Sequence, residues 1–249
     1  MAWCSPPPTL ELGPGEVHLW LAQGGDGLFS QTVAGHLTED EIARARRLRR
    51  PADRACFTLA HVMLRDVLAQ YLSVAPLAIR LGSSALGKPF LAGRYSAELH
   101  FNLSHSGDSV LIGVTRGREI GVDIETAVPS DDLLSVATHY FAPDECAALA
   151  AAGDADRVAL FYLLWTRKEA YLKACGTGLS HPLNAFSVMP TLAVPPDPVM
   201  HCPDPAAQDR WYCYGLPAPD GYAAAAVTAG AAGALRYWRW SPRDPSCAN

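Results

Sequence analysis

Asp123 and Glu125 stand two residues apart in Ile120-Gly121-Val122-Asp123-Ile124-Glu125, a run that is otherwise apolar. In an extended chain both carboxylates project from one face while Val122 and Ile124 occupy the other. Carboxylates held side by side repel unless a cation lies between them, and an oxygen-only donor set suits a hard cation such as Mg²⁺. A third acid, Glu169, is followed one helical turn later by Lys173, and Trp165 completes an i, i+4, i+8 stripe. Brought together, Asp123, Glu125 and Glu169 would make an Mg²⁺–phosphate site, because Mg²⁺ takes a few carboxylates and fills its shell with water and substrate phosphates. Lys173, Lys88 and His105 would then face phosphate oxygens, and a glutamate beside the metal could take a proton from an attacking hydroxyl. Spacing alone fits an ordinary i,i+4 surface pair for Glu169 and Lys173 as well.

The elements that must position these groups are legible in outline. Leu99, Phe101 and Leu103 alternate with His100, Asn102 and Ser104, the period of a half-buried strand. Ser106-Gly107-Asp108 is turn chemistry, Val110 to Val114 a core strand, and Ile120 to Glu125 a third strand, so residues 101–125 read as one β-rich unit. Upstream, residues 1–15 are rich in Pro and Gly, which predicts a poorly ordered start, and Val17 to Ala22 alternates like a strand. Thr38 and Glu41 form a capping-box signature for a helix carrying Arg44, Arg46, Arg47, Arg49 and Arg50, which Pro51 is expected to stop. A second helix follows over about 52–72, with Phe57, Ala60, Leu64, Val67 and Leu68 as its core stripe. Downstream, helices are expected over 133–140, from Pro143, and from about Asp154 to a C-terminal stop at Gly176. Residues 189–210 read as a long Pro-rich loop, and 211–216, 222–228 and 234–240 as three strands. The two halves repeat an order of elements, helices then strands, without a visible residue-level repeat.

Composition bounds the class. The chain has 249 residues, 49% of them hydrophobic, a net charge of −5, and no apolar run of membrane-spanning length. Nucleic-acid binding is not expected of such a charge, nor secretion of an N-terminus without a basic and then apolar leader. Seven scattered cysteines with no C-x-x-C pair point to reduced thiols in a cytoplasm.

Three blocks carry a resemblance: Asn102-Leu103-Ser104-His105-Ser106-Gly107, Gly121-Val122-Asp123-Ile124-Glu125, and Trp165-Thr166-Arg167-Lys168-Glu169-Ala170-Tyr171-Leu172-Lys173. With Gly176 to Leu179 and a Phe186-Ser187-Val188 strand after them, they are similar in order and spacing to the Sfp-type 4′-phosphopantetheinyl transferases over roughly residues 37–190. The resemblance implies an α+β pseudo-dimer of two similar subdomains, residues 1–118 and 119–249, with the active site in the cleft between them. It implies a monomer that transfers the phosphopantetheine arm of coenzyme A to a serine of an apo acyl or peptidyl carrier protein, Mg²⁺-dependent, in polyketide or nonribosomal-peptide pathways among others. Adenosine 3′,5′-bisphosphate would be released. By the same resemblance Asp123, Glu125 and Glu169 are the Mg²⁺ ligands, Glu169 the base for the carrier serine, and Lys173 the pyrophosphate contact. Ser104 and His105 would touch phosphates, and Lys88 and Arg44 would surround the adenosine 3′-phosphate.

Two positions depart from the family pattern. Cys56 precedes Phe57 where an arginine is common, with Arg54 two residues earlier, and Glu41 stands where some members have lysine. Acidic carrier proteins would be complemented by a basic rim, for which Arg46, Arg47, Arg49 and Arg50 or residues after Phe141 are candidates. Two alternative classes use the same residues: an Mg²⁺-dependent phosphohydrolase that activates water, and a silent carrier-binding scaffold, which would be expected to have lost one of the acids or Lys173.

Overall fold

Four layers, helix–sheet–sheet–helix, set the acids of the central run against a long helix. The computed structural model describes residues 2–24, 35–95, 99–178, 181–190, 197–198 and 211–242. The first sheet has the order β10-β1-β5-β4, built from β1 (Glu16–Gln23), β4 (His100–Ser106), β5 (Ser109–Thr115) and β10 (Ala234–Arg239). The second has the order β6-β9-β8-β7, with β6 (Ile120–Thr126), β7 (Asp197–Pro198), β8 (Trp211–Gly215) and β9 (Tyr222–Ala229). A small hairpin pairs β2 (Leu81–Ser83) with β3 (Pro89–Leu91). Helix α1 (Glu39–Arg47) leads into α2 (Pro51–Leu72), which packs on the outer face of the first sheet. Helices α3 (Leu133–Tyr140), α4 (Pro143–Ala151) and α5 (Asp154–Cys175) cover the second.

Between the sheets lies a third apolar layer, in which Val17, Leu19 and Leu21 of β1 meet Ile120, Val122 and Ile124 of β6. Strand β1 is therefore buried on both faces, because its alternate residues Trp20 and Ala22 pack under α2. The same alternation sends Gly121, Asp123 and Glu125 toward α5. Their expected single-face projection holds.

The β-rich unit over 101–125 is divided between the two sheets. Strands β4 and β5 pair in the first, whereas β6 pairs with β9 in the second. The polar residues of β4 explain the division. Asn102 Oδ1 accepts from Val122 N at 2.9 Å, Ser104 Oγ from Ile124 N at 3.4 Å, and Ser106 Oγ from Thr126 N at 3.1 Å. These N–H groups point away from β9 and would otherwise be orphans. Alternate polar side chains of one sheet edge thus satisfy the edge of the other, and Asn102 and Ser104 are buried rather than solvated.

Other expectations are corrected in the same way. Residues 2–14 are docked: Cys4 N donates to Tyr237 O and Arg239 N to Cys4 O, and the Trp3 ring meets Tyr237 edge-on at 5.2 Å. The third of the C-terminal strands, β10, leaves its neighbours and runs parallel beside β1. Leu48 ends α1, and Pro51 opens α2 as a first-turn residue instead of stopping its predecessor. Within the 189–210 stretch, Asp197 and Pro198 pair with Cys213 and Tyr212, while most of the remainder lies outside the described residues. Phe186–Val188 forms no extended strand, and Ser187 alone within it makes a single β-bridge. The Thr38–Glu41 capping box and the left-handed stop at Gly176 (φ 68°) are as expected. Cys4, Cys56 and Cys146 are free thiols, and Cys202 and Cys247 lie outside the described residues. No described helix is long and apolar enough to cross a membrane.

A residue-level echo of the two halves emerges in three dimensions. Glu41, at the third position of α1, accepts from Thr38 N and pairs with Arg65 at 2.8 Å, and Arg65 also donates to Pro76 O and Ile79 O. Glu145, at the third position of α4, accepts from Ala142 N and pairs with Lys168 at 2.8 Å, and Lys168 donates to Leu183 O and Phe186 O. Arg65 and Lys168 are each the fifteenth residue of a 22-residue helix. The identities differ, so no sequence repeat is visible, but the two clamps are built alike.

Candidate active site

Gly121 brings α5 close enough to β6 to form the site. A Cβ there would stand 2.0 Å from Ala170 O and 2.4 Å from Ala174 N, so only glycine permits this approach. Against that contact, Lys173 Nζ reaches across to Asp123 Oδ1 at 2.6 Å and Ser104 Oγ at 2.9 Å, and Ser104 Oγ itself donates to Asp123 Oδ1 at 2.8 Å. Lys173 therefore belongs to a three-residue junction of β4, β6 and α5 and is not a surface i,i+4 partner of Glu169.

Asp123 is 1% exposed, and its second oxygen, Oδ2, is buried with no hydrogen-bond partner. Burial pushes its carboxyl up, with Lys173 and Ser104 acting in the opposite direction. Glu125 is raised by burial and then by the Asp123 charge, with Glu169 adding to it, and Glu169 is raised by burial and by Asp123. Three carboxylates thus share one low-dielectric neighbourhood with a single ammonium. Such crowding is unfavourable unless positive charge is supplied. Among the described residues no three acidic, histidine or cysteine side chains stand close enough together to hold a metal ion as they are placed. What the site offers to a cation is an unpartnered buried oxygen on Asp123 and the two partly exposed carboxylates of Glu125 and Glu169.

A cleft of about 260 Å³ opens from this junction, between the loop at Leu86–Pro89 and the last turns of α5, with Glu169, Lys173 and Gly176 on one wall and Asn102 and Leu103 at its back. Lys88 crosses its mouth, donating to Ala174 O at 2.8 Å and pairing with Glu119. His105 is solvent-facing at the end of β4, its pKa lowered by partial desolvation and by the nearby Lys173 and His61. Arg44 is exposed on α1, with its guanidinium 5.5 Å from the centre of the Phe57 ring. Phe57 is consequently not core: it stacks on His61 at 4.0 Å between ring centres. The structure so places Lys88, Glu169 and Lys173 on one cleft, with Asp123 and Ser104 buried behind it and joined to it through Lys173, and with Glu125 and His105 close enough to feel the charges of Asp123 and Lys173 respectively. Arg44, Phe57 and His61 form a stack that reaches toward His105.

Nothing in the sequence marks a role for Glu119, His61 is marked only by its spacing one turn after Phe57, and Asn102 opens the first matching block without a role of its own. The Glu41 departure is explained. Its carboxylate is committed to Thr38, His61 and Arg65, which together hold it down at about 2 against the opposing effect of burial. Lys168, inside the third motif block, faces away from the cleft and is completely buried.

Comparisons with known proteins place these features in a family. Residues 29–116 match the family described as 4′-phosphopantetheinyl transferase, N-terminal, and residues 119–227 the 4′-phosphopantetheinyl transferase superfamily. The chain is 36% identical over 242 residues to the 4′-phosphopantetheinyl transferase HetI of Nostoc, covering 96% of this chain and 98% of that protein. It is 33% identical to a phosphopantetheinyl transferase of Thraustochytrium over 73% of this chain and 66% of that one. The figure for the 4′-phosphopantetheinyl transferase Sfp of Bacillus subtilis is 32%, over 61% of this chain and 66% of the relative. The chain belongs to the 4′-phosphopantetheinyl transferase superfamily.

Proposed function

We propose that this enzyme transfers the phosphopantetheine arm of coenzyme A to a serine of an apo acyl or peptidyl carrier protein in an Mg²⁺-dependent reaction. The observation that carries the reading is the Asp123–Glu125–Glu169 group, whose carboxyls are all raised by burial, with the Asp123 charge raising the other two further, and which includes a buried oxygen without a partner. This oxygen-only donor set fits Mg²⁺, which when bound would neutralise charge on the pyrophosphate of coenzyme A. Lys173 would then stand beside the same phosphates as a second cation, with Leu103 and Leu172 as apolar lining of the cleft.

In the transfer, the carrier serine oxygen bonds to the β-phosphorus, the bond from that phosphorus to the bridging oxygen breaks, and adenosine 3′,5′-bisphosphate leaves with the electron pair. The serine proton goes to Glu169, which lines the cleft beside Lys173. Lys88, His105 and Arg44 would meet the 3′-phosphate end of coenzyme A, with His61 stacked among them.

The test is the intact mass of an apo carrier domain after incubation with the protein, coenzyme A and Mg²⁺. A gain of one phosphopantetheine, absent with EDTA and at least 100-fold slower with Glu169→Gln, is the expected result. Loss of coenzyme A without carrier modification would replace the reading with the hydrolase. An unmodified carrier and intact coenzyme A would replace it with the scaffold.

A further inference from the structure

Lys88 is already occupied by a group that no part of the transfer chemistry requires. Its ammonium pairs with Glu119 Oε2 and donates to Ala174 O at 2.8 Å. That carbonyl lies in the last turn of α5, at the negative end of a 22-residue helix dipole. The other oxygen of Glu119 faces His100 Nδ1 at 3.0 Å. Held by His100 and Lys88, the Glu119 carboxyl sits at about 2, so it carries a full charge at any working pH. The pair is not needed for the core, because the Glu119 side chain is 45% exposed. Lys88 nevertheless lines the cleft together with Lys173 and Glu169. An anion entering the cleft therefore meets a lysine whose charge is compensated.

We propose that Glu119 is an internal competitor for Lys88 that lowers the affinity of the cleft for its anionic substrate, acting through the lysine. The inference rests on the coenzyme A reading above. A phosphate oxygen at Lys88 must share or displace the Glu119 carboxylate, and the work of breaking a partly exposed pair is subtracted from binding. Glu119 touches no reacting atom, so it sets affinity and release and leaves the chemical step alone.

The test is a double-mutant cycle on coenzyme A binding, read by calorimetry on the full chain in Mg²⁺ buffer, with transfer kinetics alongside. Glu119→Gln is expected to lower Kd and KM about three- to fivefold with kcat unchanged. In a Lys88→Met background the same substitution is expected to change Kd by less than about 1.5-fold, because the competition needs the lysine. Glu119→Ala serves as the second variant and should follow the same pattern. An equal gain in both backgrounds would reduce Glu119 to a general surface charge and overturn the proposal. Unchanged or weakened binding in the single variants would overturn it too. Wild-type protein that binds no coenzyme A at all would sink the parent reading instead, and that outcome is distinguishable because it appears before any substitution is made.

Discussion

Helix α5 carries two lysine–carboxylate pairs five residues apart, and they are built to opposite specifications. Lys168 and Glu145 are both 0% exposed, and each remaining polar direction is filled: Leu183 O and Phe186 O for the ammonium, Ala142 N and Val188 N for the carboxylate. Lys173 and Asp123 are joined at 2.6 Å, yet the lysine side chain is 30% exposed, Asp123 Oδ2 has no partner, and two more carboxylates crowd the same space. The closed pair is a clamp joining α4, α5 and the 183–188 segment. The open pair holds charge ready for a ligand. What separates structure from chemistry on this helix is whether a charge has been satisfied, not whether it is buried.

The hardest blow to that contrast would be a clamp that can be cut without harm. Lys168→Met leaves Glu145 charged and fully enclosed, and is expected to cost about 3–5 kcal/mol in urea unfolding. A loss under about 1 kcal/mol would mean the clamp is dispensable. Gly121→Ala comes next, because its methyl group collides with the backbone of α5 at Ala170. Pushing the helix outward is expected to cost about 2–3 kcal/mol and to lower transfer far more than a surface substitution would, since it moves Lys173 and Glu169 off β6.

The first-half clamp sharpens the comparison through pH. Glu41 is ionised down to about 2 when folded and has an ordinary carboxyl, near 4.5, when unfolded. Its stabilisation is therefore complete above about pH 4.5 and is lost as pH falls toward 2. Glu41→Gln should cost on the order of 2 kcal/mol at pH 7, with the gap to wild type closing in thermal melts between pH 4.5 and 2. The smallest stability effect belongs to the open pair: Lys173→Met leaves the 1% exposed Asp123 without its cation, but the site is open to water and the Asp123 carboxyl, already pushed up by burial, can take up a proton, so unfolding should shift by about 1–2 kcal/mol while transfer falls about 100-fold or more. A Lys173 variant as unstable as the Lys168 variant would erase the distinction between the pairs.

Much of the site was legible because it depends on local rules. Strand alternation placed Asp123 and Glu125 on one face, helical spacing placed Glu169 and Lys173 one turn apart, and the cap residues Thr38, Glu41 and Gly176 marked their helix ends. What escaped notice depends on partners distant in the chain. Asn102 and Ser104 read as the polar face of a half-buried strand and Ser106 as part of a turn, because nothing local says that another sheet edge lies opposite. Strand β10 was legible as a strand but its pairing was not, since its partner β1 is more than 200 residues away along the chain. Residues 2–14 looked too rich in proline to be ordered, and Trp3 and Cys4 dock them onto β10 all the same. Lys168 stood out no more than its neighbours, since only the fold reveals that it is enclosed.

The β4–β6 seam has one more consequence. Open sheet edges are adhesive, because their unpaired N–H and C=O groups can recruit strands from other chains. Here two such edges face each other, and Asn102, Ser104 and Ser106 occupy the donors of β6 without merging the two sheets into one. The junction that supports the cleft is thus also a guard against aggregation, and a substitution at Asn102 would reopen the Val122 donor at that edge.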